Sequence, residues 1–368
     1  MKKMRAKKGL TKIKPYRGEV SRRELAQRLG LREEDILPLH ANENLFIEKE
    51  WIKERIREAL EKVDPRMYPD PQDVVVRRAL AQHYGVNEEE VLIGSGADEL
   101  IDGISRCFIE SGDQIVTLDP TFQVYGISAM LHGGRCKSVL LREDFSVDVA
   151  RLLREMDETT KVLYICSPNN PTGNQHGRDV IEEIIGNVDC IVVLDEAYVE
   201  FADYSLSKLI HDYDNLIVLR TFSKGFGIAG LRFGVALSNQ EIVDIMRRGL
   251  QPYNVSNIAQ YTALTLLENW GYLAEKINEI KRQREVLLEK LLEIEGLKVY
   301  PSKANFILVR VLKRGVRAED VQRSLMMKGI LVRDRSNLPL LDNCLRITVC
   351  PSYMTERLTS ALKEALGS

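Results

Sequence analysis

A lysine sits just past an apolar, β-branched run, Leu216 to Leu219, in the segment Arg220-Thr-Phe-Ser-Lys-Gly-Phe-Gly-Ile-Ala-Gly-Leu-Arg232. Hydroxyls precede Lys224 by one and three residues, at Ser223 and Thr221, and Arg232 follows it by eight. Lysine is the side chain that condenses with an aldehyde, and it does so when desolvation or a neighbouring cation lowers its proton affinity. Hydroxyls and an arginine suit a phosphate carried by that aldehyde. The pattern reads as a Schiff-base lysine with a phosphate cup, the arrangement that pyridoxal phosphate needs. A lysine after a serine is also what an ordinary solvated surface offers, so this segment alone leaves both readings open.

Two segments upstream favour the first reading. Ser167-Pro-Asn-Asn170-Pro-Thr-Gly173 follows the apolar run Val162 to Cys166 and reads as a sharp turn at the end of a buried strand. It is either a plain loop or a turn that presents the Asn170 amide to the phenolic oxygen of the cofactor. Cys190-Ile-Val-Val-Leu-Asp-Glu-Ala-Tyr198 puts Asp195 at the end of another buried strand, where open α/β sheets place their chemistry. Asp195 there is a strand-end cap, a metal ligand, or the partner of a protonated pyridine nitrogen that lets the ring accept electrons. In the last case Tyr198 joins Asn170 at the phenolic oxygen.

With these residues the chain resembles the fold-type I, class I/II aminotransferases, and among them most closely the histidinol-phosphate aminotransferases. The resemblance runs from about Pro15 to the C-terminus. It rests on His40-Ala-Asn-Glu-Asn44, Tyr68-Pro-Asp, Gly94-Ser-Gly-Ala-Asp-Glu99, Pro120-Thr-Phe122, Asn170-Pro-Thr-Gly, Asp195-Glu-Ala-Tyr198, Thr221-Phe-Ser-Lys224, Ala304-Asn-Phe-Ile and Leu345-Arg-Ile-Thr-Val. It implies an α/β chain of the pyridoxal-phosphate transferase fold, with a mostly parallel sheet in a large domain and a smaller α+β domain. It implies cofactor contacts from Ala97, Asp98, Phe122, Asn170, Asp195, Tyr198, Thr221, Ser223, Lys224 and Arg232. Tyr68 is implied to reach the cofactor of a second subunit in a homodimer. Lys224, Asp195 and Tyr198 are the implied catalytic residues. Asn44, Tyr16, Arg333 and Arg346 are the implied substrate contacts. The implied substrates are an amino donor, histidinol phosphate first, and a 2-oxo acid, 2-oxoglutarate.

Read without the resemblance, Ser95-Gly-Ala-Asp98 is a capping turn or an anion site at a helix N-terminus. Phe122 alone reads as core, and Arg333 as a surface ion pair. Arg346, in a short β-branched run, is expensive to bury without an anion, and its planar fork matches a carboxylate. Cys350-Pro351, where the family continues with Gly, and Leu45-Phe-Ile-Glu48, where relatives carry Pro and Gly, depart from the pattern. These departures bear on the substrate and not on the cofactor. An aromatic aminotransferase or a threonine-phosphate decarboxylase would share every cofactor residue. A non-catalytic regulator built on this fold would need a complete DNA-binding domain upstream, and about 50 residues leave no room for one.

The 368 residues are enough for two domains, and 44% hydrophobic with 29% charged residues is a globular composition. No apolar stretch reaches membrane-spanning length, and the basic N-terminus has no apolar segment behind it, so neither a membrane nor secretion is expected. Six cysteines without a Cys-x-x-Cys pair suggest neither a metal site nor disulfides, and a cytoplasmic setting. Residues 1–14 hold seven Lys or Arg and no acid, without interleaved aromatics, so a solvated tail is expected rather than a nucleic-acid arm. Ser21 to Leu31 resembles half of a helix-turn-helix, but only a short acidic turn follows.

The periodicities predict helices over 51–63, 73–84, 97–108 and 122–131. Strands are predicted over 91–94, 114–118, 162–166, 190–194, 216–220 and 233–237, with helices between 162–166, 190–194 and 216–220. From Ser256 a long helical stretch runs to about Glu295 with a break near Trp270-Gly271. Strands over 306–311, 330–332 and 345–349 and helices over 318–328 and 355–366 follow. The expected division is an N-terminal arm (1–48) that contributes to the small domain, a large cofactor domain (49–255) and a small C-terminal domain (256–368).

Overall fold

The structure, a computed structural model, describes residues 20–367, so Tyr16 lies outside the described residues. Twelve helices and thirteen strands alternate along them. The order is α1 (Arg22–Leu29), β1 (Leu37–Pro38), α2 (Lys49–Glu61), α3 (Val74–Tyr84), β2 (Val91–Gly94), α4 (Ala97–Phe108), β3 (Gln114–Asp119), α5 (Val124–Leu131), β4 (Arg135–Leu140), α6 (Val149–Glu155), β5 (Thr160–Cys166), α7 (Arg178–Ile185), β6 (Ile191–Asp195), β7 (Leu216–Thr221) and β8 (Gly234–Leu237). Then come α8 (Gln240–Gly249), α9 (Asn257–Glu268), α10 (Trp270–Leu292), β9 (Leu297–Val299), β10 (Phe306–Val311), α11 (Ala318–Met327), β11 (Ile330–Leu331), β12 (Arg333–Asp334), β13 (Cys344–Thr348) and α12 (Ser352–Leu366).

Seven strands form the main sheet in the order β2-β8-β7-β6-β5-β3-β4. The pairs β7·β6, β6·β5, β5·β3 and β3·β4 are parallel, and only β8 runs against its neighbours. The central strands are apolar along their length because helices cover both faces. Successive residues feed opposite cores. Leu163, Ile165, Val192, Leu194 and Val218 pack on one side, and Val162, Tyr164, Val193, Ile217 and Leu219 on the other. Burying strands on both faces leaves only their ends for polar work, and the C-terminal ends carry it.

A four-stranded antiparallel sheet, β12-β13-β10-β9, packs on α10, α11 and α12 through Ile277, Leu287, Leu291, Val321, Leu325, Leu358 and Leu362. The N-terminal arm joins this region where β1 pairs in parallel with β11. α1 starts on the Ser21 hydroxyl, which accepts the Glu24 N–H at 3.2 Å, and stops at Gly30, whose φ of 66° an L side chain adopts only with strain. A single 3-10 turn, Glu33–Asp35, follows α1. The expected division at 255/256 falls just ahead of α9, whose Ala259, Ala263 and Leu266 pack in the core of the main sheet. Along α10 the apolar face passes from that core at Leu273 to the small-sheet core at Ile277 and beyond.

The elements follow the expected pattern, with these differences. Between β6 and β7 the expected helix is replaced by two 3-10 turns, Val199–Phe201 and Ser207–His211. The buried Glu196 carboxylate captures the Leu206 N–H and the Ser205 hydroxyl, both at 2.7 Å, which fixes this segment as a folded loop. Two edge strands were not predicted: β4 is largely open to solvent, and the alternation Leu297-Lys-Val299 of β9 is only three residues long. The short helix α6 and the helix α8 lie in stretches where no element was predicted. The helical break falls at Asn269, one residue ahead of the expected one. Among the described residues no helix is long and apolar enough to cross a membrane.

Candidate active site

A cavity of about 410 Å³ opens at the C-terminal ends of β5, β6 and β7, roofed by the arm around His40 to Glu43 and by β12 and β13. Chain geometry brings the expected residues there from separate segments. Asn170 follows β5, Asp195 ends β6, Thr221 ends β7 with Ser223 and Lys224 just beyond, Ala97 and Asp98 open α4, and Phe122 precedes α5. Tyr198, Arg232, Arg333 and Arg346 complete the expected set that lines it.

Lys224 donates from Nζ to the Ala41 carbonyl at 3.0 Å, and its Nζ lies 5.9 Å from the centre of the Tyr198 ring. Burial, reinforced by the nearby Arg346 cation, lowers its pKa to about 8. The amine is therefore available unprotonated far below the usual lysine range, which a nucleophile or proton carrier requires.

Asp195 is buried and has both carboxylate oxygens held. Oδ2 accepts from the Tyr125 hydroxyl at 2.5 Å, and Oδ1 from the Ala197 N–H at 2.9 Å. Burial raises its pKa to about 6, against the pull of these donors. A cationic partner such as a pyridinium would offset that cost.

The β2–α4 junction forms an anion cradle. A Cβ on Gly234 would sit 2.5 Å from the Ala97 backbone nitrogen, so that close approach requires glycine, and Gly96, against the Arg232 guanidinium, holds a φ of 79° that an L side chain adopts only with strain. The N-terminus of α4, the Thr221 and Ser223 hydroxyls and Arg232 converge on this point, with Arg232 paired to the Asp98 carboxylate at 2.7 Å. Free N–H groups at a helix start and an arginine suit a phosphate. With Asp195 and Lys224 lining the same cavity, the donor set fits pyridoxal phosphate.

On the roof, Arg346 is buried and donates to Asn170 Oδ1 and to the His40 carbonyl, both at 2.6 Å, with its guanidinium 5.3 Å from the Phe306 ring centre. With Oδ1 so fixed, the NH2 group of Asn170 is what remains to donate toward a ligand. Arg333 lies opposite Arg346 in the β12·β13 register, and Arg335 joins both in lining the cavity. Burial, then the charges of Arg333 and Arg346, press the His40 pKa down to about 4, so His40 is neutral near pH 7.

Two expected residues stand elsewhere. Asn44 is not part of the lining: its amide donates to the Gly225 carbonyl at 3.0 Å and its Oδ1 takes the Phe46 N–H at 3.0 Å, so it braces the loop that carries Lys224. Asn42, in the left-handed region at φ 54° and buried, faces the cavity instead and donates to the Tyr198 hydroxyl at 3.0 Å. The positive φ turns the arm between the two asparagines of one motif, which spacing alone does not reveal. Tyr68 is 80% exposed, stacked on Tyr253 at 4.8 Å, and away from this chain's own cavity. Tyr125 and Arg335 were not singled out by sequence, and His40 and Asn42 stood there only within the His40-Ala-Asn-Glu-Asn44 motif, without a role of their own. Tyr125 had a usable signal, its i+3 spacing from Phe122.

The chain belongs to the aminotransferase class I and II family, whose model matches residues 34–364. Among its relatives is histidinol-phosphate aminotransferase of Methanocaldococcus jannaschii, 35% identical over 362 residues, which are 97% of this chain and 96% of that protein. The crystal structure of histidinol-phosphate aminotransferase from Sinorhizobium meliloti in complex with pyridoxal-5'-phosphate superposes with a TM-score of 0.88 at 28% identity, covering 99% of this chain and 98% of that one. L-threonine-O-3-phosphate decarboxylase from Porphyromonas gingivalis shares the fold, with a TM-score of 0.79 at 24% identity, covering 90% of this chain and all of that one.

Proposed function

We propose that this chain is a pyridoxal-phosphate-dependent aminotransferase that moves the amino group of histidinol phosphate to 2-oxoglutarate. The observation that carries the reading is one cavity lined together by a lysine of lowered proton affinity, an anion cradle and a buried, doubly held carboxylate. When bound, pyridoxal phosphate supplies an aldehyde that takes the amine and a ring that draws electrons from the neighbouring carbon. The α4 N–H groups, Thr221, Ser223 and Arg232 would hold its phosphate. Asp195 would pair with its ring nitrogen, Asn170 and Tyr198 would donate to its ring oxygen, and Phe122 would cover its face. Lys224, once displaced by the incoming amine, carries a proton on Nζ between the substrate carbon and the acceptor carbon.

The roof supports the choice of substrates. Histidinol phosphate brings a phosphate and no carboxylate, whereas 2-oxoglutarate brings two carboxylates. Arg346 and Arg333 offer planar forks that accept either anion. Relatives named histidinol-phosphate aminotransferase, 35% and 40% identical over most of this chain, support histidinol phosphate over an aromatic amino acid or threonine phosphate.

We also propose a cytoplasmic homodimer in which Tyr68 serves the partner's site. Met67, Tyr68 and Tyr253 are 65%, 80% and 46% exposed and adjoin Pro69 and Pro252, an apolar surface suited to a second copy. Its six cysteines are all unpaired, as a reducing compartment requires.

Borohydride reduction of the cofactor-loaded protein, followed by a peptide map, tests the core of this reading. The label is expected on Lys224, in a species that sediments as a dimer. A label on another lysine, or a fully active monomer at low concentration, would contradict it.

A further inference from the structure

We propose that Tyr125 is a positioning residue for this chemistry: its phenol aims the Asp195 carboxylate at the cofactor's ring nitrogen and keeps that carboxylate charged. The proposal rests on the reading of the cavity as a pyridoxal-phosphate site and adds to it a residue that does not line the cavity.

The geometry leaves Tyr125 little freedom. Its side chain is fully buried, and its ring stacks on Tyr164 with centroids 4.3 Å apart and planes 12° apart. Its hydroxyl meets Asp195 Oδ2 at 2.5 Å while the Ala197 N–H holds Oδ1, so the plane of the carboxylate is fixed from both oxygens. Its ring edge also meets Phe122, centroids 5.6 Å apart and planes 82° apart. Phe122 lies just ahead of α5 and Tyr125 in its first turn, so the contact ties the segment before the helix to the helix itself. One residue thereby holds the group at the nitrogen edge of the ring and backs the group that covers its face.

The charges around Asp195 show why a donor is needed. Asp98 and Glu196 oppose its ionisation, and burial opposes it most. Cys166, Tyr164 and Tyr198 face it as acids whose pKa values are themselves raised, so they bring no positive charge. The Tyr125 hydroxyl and the Ala197 N–H are the groups that favour the anion. Burial holds the Tyr125 phenol well above its ordinary pKa, so it remains a donor throughout the working range.

Tyr125→Phe keeps the ring and its stacking and removes only the hydroxyl. Asp195 then binds a proton more tightly and takes more of the proton it shares with the ring nitrogen. A less positive ring makes the nitrogen that joins Lys224 to the cofactor more basic. The visible absorbance of the cofactor-loaded protein, titrated against pH, should therefore move its midpoint upward by about one pH unit or less. Cofactor uptake and melting temperature should change little, and kcat should fall by about tenfold with KM nearly unchanged. Tyr164→Phe makes the same chemical change one ring away, without touching Asp195, and should leave the midpoint in place. A Tyr125→Phe midpoint equal to wild type, or an equal shift in Tyr164→Phe, would overturn the proposal. A wild-type protein that gains no titrating absorbance with pyridoxal phosphate would overturn the functional reading beneath it.

Discussion

Lys224→Ala is expected to give a folded, colourless protein whose turnover is lower by on the order of 10⁴-fold, the upper range for removing a positioned acid–base group. The fold should survive because the amine makes one hydrogen bond, to the Ala41 carbonyl, and its removal relieves a partly buried cation. The same lysine gives a pH signature in the wild-type protein. The attacking form is the neutral amine, which is populated above the pKa of the group. With that pKa lowered to about 8, the rate at which apoprotein captures pyridoxal phosphate should rise between about pH 7 and 9 and then level off. A rate still climbing through pH 10 would mean that the lysine is solvated and unperturbed. Turnover of the alanine variant near wild type would remove Lys224 from the chemistry altogether.

Asp195→Asn should retain cofactor and lose about 10²- to 10³-fold in kcat, about 3–4 kcal/mol, the usual worth of one preorganised electrostatic partner. An amide cannot keep the ring nitrogen protonated, so the electron sink weakens while the phosphate cradle is untouched. The apoprotein should show the opposite sign. Burial raises the folded-state pKa of Asp195 to about 6, above its unfolded value, so folding favours the neutral acid. That contribution is fully present below the unfolded pKa and is lost as pH rises through about 6. Above that pH the wild-type apoprotein carries a buried charge that the asparagine variant lacks. The variant's apoprotein should then be more stable at pH 8 by up to about 3 kcal/mol, with the difference shrinking toward pH 4. Thermal melts at the two pH values measure this. A variant with wild-type kcat would show that Asp195 serves another part.

Much of the site was legible because its chemistry sits at strand ends. An apolar run that stops at a carboxylate, an amide or a lysine is visible in one dimension, and Asp195, Asn170 and Lys224 are each such a stop. The parallel sheet then converges them without further information. What the sequence hid depends on side-chain direction and on long-range packing. Asn42 and Asn44 differ only in which way a turn at positive φ points them. Tyr125 looks like any core aromatic until its hydroxyl is found on Asp195. Arg335 joins the cavity because β12, just ahead of it, runs beside β13, and β12 is a two-residue strand too short to carry a period. The missing helix between β6 and β7 has the same origin. A buried carboxylate, Glu196, organises a loop whose local sequence gives no sign of it.

Comparing amino donors bears most directly on the assignment. Histidinol phosphate, histidinol, phenylalanine and threonine phosphate would each be supplied with 2-oxoglutarate, and glutamate formation followed. Remote binding energy from the phosphate should orient the amine and appear in kcat/KM. Histidinol phosphate should exceed histidinol by about 10²-fold or more, as expected when charged forks lose a charged partner. Phenylalanine turning over as well as histidinol phosphate would contradict the substrate assignment, and no glutamate from any donor would contradict the aminotransferase itself.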